Sequence, residues 1–121
     1  MKKYCVGESY TIKEVLEHFE QNHDRVAIVT NDDNKVIGVV SQGDIIKAMS
    51  EGDSLYANIA TIMNTSFLYL NERNIAKAYE IFKEKIITML PIVDKDFYLT
   101  DVIVSKDIYE YTDSFMKGNL K

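Results

Sequence analysis

The side chains best placed to do chemistry lie in Ser41-Gln42-Gly43-Asp44, between an apolar run and a helical pattern. A carboxylate accepts two hydroxyl protons at once, which suits Asp44 to a vicinal diol. A strand-to-helix turn at this point presents free backbone N–H groups and a positive dipole end to an anion such as phosphate. Gly43 would let a ligand approach the backbone closely, and Lys47, one turn further on, could meet the same anion. Each residue also has a plainer use. Ser41 can serve only as an N-cap, Asp44 only as a carboxylate on the helix dipole, worth about 0.3–1 kcal/mol, and Lys47 only as a solvated lysine. The residues alone leave both uses open.

Other chemistry finds little support. His18 and His23 lie around the end of a helical pattern with no Cys or carboxylate at ligand spacing, so a metal site is not expected. Cys5, the single cysteine, has no His nearby in sequence and reads as a buried, inert thiol. Phosphate-loop, Gly-x-Ser-x-Gly and His-Glu-x-x-His motifs are absent. No nucleophile is paired with a base, and catalysis is not expected. The net charge of -5 opposes general nucleic-acid affinity, and the aromatics lack interleaved basic residues. No apolar run approaches the ~18 residues of a membrane span, and Met1 to Glu8 turns polar too soon for a signal peptide. A reducing cytoplasm is the expected location.

The elements that must position the turn are written twice. With the chain laid over itself at an offset of 63, Thr11 falls on Asn74, Ile12 on Ile75, Val15 on Ala78, Leu16 on Tyr79 and Phe19 on Phe82. This i, i+3, i+4, i+7 spacing is one face of an amphipathic helix, with Thr11 and Asn74 as N-caps and Thr11/Glu14 as a capping box. The apolar run Val26–Val29 is then answered by Leu90–Val93 at an offset of 64. Polar turns and second strands, Val36 to Val40 and Leu99 to Val104, follow in both halves. Asp44 and Asp107 return to an offset of 63, as if one residue were gained before the strand and lost in the turn. Opening strands are expected at Tyr4 to Val6 and Phe67 to Leu70. Glu51-Gly52-Asp53-Ser54 should stop the second helix, and Ile59, Ile62 and Met63 should form a short turn docked on the core. The expected architecture is α/β: two tandem β-α-β-β-α repeats with pseudo-twofold symmetry, sheets inside and helices outside. They form one module (1–121) made of repeat 1 (4–50), repeat 2 (59–113) and a tail (114–121).

These residues resemble a CBS-domain pair, or Bateman module. Gly38-Val39-Val40-Ser41-Gln42-Gly43-Asp44-Ile45 matches the family pattern of Gly, two apolar residues, Ser or Thr, two variable residues, Asp and an apolar residue. Leu90-Pro91-Ile92-Val93-Asp94 is similar to the family's apolar-Pro-Val-Val-Asp strand, and Ile59-Ala60-Thr61-Ile62-Met63 resembles the lead into a second repeat. The resemblance implies a regulatory module that binds an adenosine-containing ligand, an adenine nucleotide or S-adenosylmethionine, in the cleft between repeats, with no cofactor required. It implies that Asp44 holds ribose hydroxyls and that Ser41 helps hold ribose or phosphate, where Lys47 would join it by its position one turn further on. Cys5, Val6, Val26 and Ala27 would line the base pocket, although core packing accounts for them equally well. A homodimer is the expected assembly, acting on an enzyme or transporter in trans unless the chain is part of a longer protein.

The second repeat departs from the pattern. Aligned on Asp107, it has Asp101 where Gly is expected and Val104 where Ser or Thr is expected, with Ser105 one position late. Asp101 adds negative charge near a phosphate site. A second, weaker or empty site would use Leu90, Pro91, Ser105 and Asp107. The rival reading is a ligand-free dimerisation or protein-docking module, which the degraded second motif favours and the intact first one opposes.

Overall fold

The computed structural model of the chain describes residues 1–119. Residues 1–67 with 96–98 form one compact unit, and residues 68–95 with those from 99 onward form the other.

In the first unit, Thr11 caps helix α1 (Ile12–Asn22) through the expected box: its hydroxyl accepts from the N–H of Glu14, whose carboxylate accepts from the N–H of Thr11. Ile12, Val15 and Phe19 on one face of α1 are buried, each worth roughly 1.5–3 kcal/mol. His23 closes the helix in the left-handed conformation, its backbone N–H donating to the Phe19 carbonyl. The strands are β1 (Cys5–Gly7), β2 (Val26–Thr30) and β3 (Val36–Ser41), in the order β1-β2-β3. β1 runs parallel to β2, and β2 antiparallel to β3. Ser41 ends β3 and caps helix α2 (Gln42–Ser50).

Helix α2 stops where expected. Gly52 has φ +102, and the N–H groups of Gly52 and Asp53 return to the carbonyls of Met49 and Ala48. This is a Schellman closure, which favours glycine. Ile59 opens a short 3-10 turn (Ile59–Thr61) and is fully buried in the core, with Ile62 and Met63 packed against it.

The second unit repeats the plan with helix α3 (Ile75–Glu84), strands β4 (Met89–Val93) and β5 (Leu99–Val104), and helix α4 (Ser105–Asn119). Three expectations change. The offset is 63 throughout. Val26 pairs with Ser41 and Met89 with Val104, the bulges fall at Val29/Thr30 and Ile92/Val93, and the left-handed turn residues are Asn34 and Phe97. The expected gain and loss of a residue does not occur. No strand forms over Phe67 to Leu70; Leu70 makes one isolated parallel bridge to Ile92. The next bond of that ladder would join the carbonyl of Leu68 to the N–H of residue 91, which is a proline and has none. Finally, α4 runs to Asn119 through most of the stretch expected as a tail, while residues 120 and 121 lie outside the described residues.

Candidate functional site

The register of the first sheet places Val26 opposite Ser41 and Ala27 opposite Val40, while β1 brings Cys5 beside Ile28 and Val6 beside Val29. The expected base-pocket residues therefore share one sheet with the Ser41 turn. Val6 and Ala27 are fully buried in the core, whereas Cys5 and Val26 are half-buried. Burial pushes the Cys5 thiol above its ordinary pKa, only partly offset by the nearby N-terminal charge.

At the turn, Ser41 Oγ accepts from the N–H of Asp44 at 3.1 Å, and Asp44 Oδ2 accepts from the N–H of Ser41 at 2.9 Å. This reciprocal capping box holds both side chains in fixed rotamers. Among the described residues no donor reaches Asp44 Oδ1, so half of the carboxylate remains available. Asp44 lines a cavity of about 260 Å³ with Lys47, Glu51, Asp53 and Thr61 among its walls. The sequence had pointed to Asp44 and Lys47; Glu51, Asp53 and Thr61 join them because the Schellman closure folds the chain back beneath α2. Gly43 is open to its surroundings, since an added Cβ would meet only Ser41 Oγ at 3.7 Å. Gly38 is different. An added Cβ would lie 2.7 Å from Met63 Sδ and 3.1 Å from the Asn64 carbonyl oxygen, so this glycine admits the chain that pairs with Val39.

The second copy keeps only half of the box. Asp107 Oδ2 accepts from the N–H of Val104 at 2.9 Å, but Val104 has no hydroxyl to answer. Ser105 does not substitute: it is the first residue of α4, and its hydroxyl donates to the Thr88 carbonyl at 3.4 Å. Asp101, expected to add negative charge near a phosphate site, is paired. Its Oδ2 accepts from Arg73 Nη1 at 2.9 Å, and Arg73 Nη2 lies 3.8 Å from Asp107 Oδ1. Some burial opposes ionisation of Asp101. The hydrogen bonds from the Val102 N–H and Arg73, with the guanidinium charge, outweigh it and lower the pKa. Leu90 and Pro91 are buried in β4. Arg73 escaped sequence analysis because it lies 28 residues from Asp101, and no local pattern marks such a pair.

Among the described residues no group of three or more His, Cys, Asp or Glu is arranged to hold a metal ion, and no helix is long and apolar enough to cross a membrane.

A β-α-β-β-α unit with a Ser-x-x-Asp turn, followed by an α-β-β-α unit in the same register, defines a class of α/β tandem-repeat module. The comparisons identify the class. Residues 1–51 match the CBS domain family model. A CBS domain pair/ACT domain protein from Thermotoga maritima is 25% identical, with a TM-score of 0.75 over 91% of this chain and 88% of that one. A CBS domain protein from Pyrobaculum aerophilum, solved in complex with AMP, is 24% identical, with a TM-score of 0.74 over 91% and 90%. Inosine-5'-monophosphate dehydrogenase from Nitrosopumilus maritimus is 27% identical over 111 residues, and the chain spans 22% of that enzyme's length. Residues 1–51 are thus similar to a CBS domain, and about nine tenths of the chain has the fold of a CBS-domain pair.

Proposed function

We propose that the protein is a regulatory module that binds an adenosine-containing ligand, an adenine nucleotide or S-adenosylmethionine, at the Ser41/Asp44 turn. The observation that carries this reading is the asymmetric use of Asp44. One oxygen holds the helix cap, the other meets no donor among the described residues, and Asp44 lines a cavity together with Lys47. In this reading Asp44 takes ribose hydroxyls, Lys47 and the N-terminal dipole of α2 take phosphate, and the half-buried Cys5 and Val26 border the base. The AMP complex of the Pyrobaculum aerophilum protein supports the ligand class. The two repeats, 4–50 and 59–113, would act together as one module. A ligand with different affinity for two arrangements of the repeats shifts their populations by that difference, and a partner enzyme or transporter in trans reads the shift. We place this function in the cytoplasm, in a homodimer, with no catalysis of its own.

A ligand-free association module is the second reading, and the capping box favours it. Ser41 and Asp44 are both already employed in holding α2. A thermal-shift panel with AMP, ADP, ATP, S-adenosylmethionine and NAD separates the two. A true ligand raises the melting temperature with concentration as RT ln(1 + [L]/Kd). If no compound moves the transition at millimolar concentration, the association reading holds instead.

A further inference from the structure

The two copies of the strand-to-helix turn use equivalent carboxylates differently. Asp44 and Asp107 each give Oδ2 to the N–H three residues earlier, at 2.9 Å in both. Asp44 Oδ1 meets no donor among the described residues, whereas Asp107 Oδ1 faces Arg73 Nη2 at 3.8 Å. Arg73 is held in place from its other side by Asp101, whose Oδ2 takes Nη1 at 2.9 Å and whose Oδ1 takes the Val102 N–H at 2.8 Å. Asp101 stands where the first copy has Gly38.

We infer that Arg73, anchored by Asp101, closes the second copy of the turn to a diol ligand, so that this pair decides which of the two copies binds. A ribose diol needs acceptor capacity on the carboxylate, and here Asp107 Oδ1 is ion-paired at 3.8 Å with a guanidinium, a group with five donors and no acceptor. Val104 cannot supply the hydroxyl that Ser41 supplies in the first copy. A ligand at Asp107 would have to separate an ion pair and would leave Asp101 facing its phosphate. The inference rests on the proposed binding mode of the Ser41/Asp44 turn.

The test is titration calorimetry with AMP on the whole chain, comparing wild type with Arg73→Ala/Asp101→Gly. The isosteric pair Arg73→Gln/Asp101→Asn serves as a second variant that removes the charges at nearly constant volume. The expected result is one AMP per chain in wild type and two in either variant. One AMP in wild type and in both folded variants overturns the inference and leaves the first-turn reading standing. Two in wild type also overturns it, because the second turn is then open with Arg73 in place. No binding in wild type and one AMP in the variants supports the inference while refuting the first-turn reading. No AMP bound by any of the three overturns the inference, and the first-turn reading falls with it when ATP and S-adenosylmethionine also fail to bind wild type.

Discussion

Replacing Asp44 with Asn separates a cap from a ligand-binding carboxylate. The amide oxygen of Asn can still accept from the N–H of Ser41, now 2.9 Å from Asp44 Oδ2, so most of the capping box survives. What disappears is the negative charge at the N-terminus of α2, worth about 0.3–1 kcal/mol of stability. The ligand loses more. Hydroxyl bonds to a charged acceptor contribute about 1.5–3 kcal/mol, equivalent to roughly 10- to 150-fold in Kd. At a ligand concentration near 100 Kd, wild type gains about 2.7 kcal/mol, a rise in melting temperature on the order of 10 °C. At the same concentration the variant keeps only about 0.3–1.4 kcal/mol of that stabilisation. The assay is a thermal melt of both proteins with and without the compound that performs best in the panel. A ligand-free melting point lowered by a few degrees, together with a ligand shift equal to that of wild type, would refute the reasoning and leave Asp44 as a cap alone.

Gly38→Ala should lower stability by about 1–3 kcal/mol. Met63 can swing aside, but Asn64 is held by paired bonds with Val39, its carbonyl accepting at 3.0 Å and its N–H donating at 2.8 Å; a denaturant midpoint equal to that of wild type would contradict this contact. Asp101 has a folded-state pKa below its ordinary value, so its contribution is present at neutral pH and is lost as pH falls through the folded pKa. The difference in melting temperature between wild type and Asp101→Asn should therefore shrink below about pH 4, and a difference independent of pH would exclude the Arg73 pairing. Cys5, with its thiol raised by burial, should react with iodoacetamide at neutral pH more slowly than free cysteine does. Equal rates would mean that β1 opens readily.

What could be read from the sequence depended on whether a residue's partner was local. The capping boxes at Thr11/Glu14 and Ser41/Asp44 span three residues, and both form. The helical faces repeat at 63 because polar residues between the apolar ones fix their phase. β4 is buried at all five positions, so its apolar run carries no phase, and Leu90–Val93 seemed to answer Val26–Val29 one residue out of register. The pairing of Met89 with Val104 sets the true register, and only the folded ladder reveals it. The strand expected over Phe67 to Leu70 is stopped by the missing N–H of Pro91, a residue some twenty positions away in the chain. Gly38 and Met63 were each visible as motif residues, but the packing of one on the other was not. Arg73 was invisible for the same reason, and with it the difference between the two carboxylates.

The most direct test of an adenosine site at the Ser41 turn is a backbone amide spectrum of the 15N-labelled chain, titrated with AMP, ATP and S-adenosylmethionine in turn. The account predicts that at least one compound moves the Ser41, Gln42, Gly43 and Asp44 signals in a saturable way, and moves them before any signal from Val104 to Asp107 responds. Unmoved signals at Ser41 to Asp44 with all three compounds at millimolar concentration, or a first response at Val104 to Asp107, would contradict it.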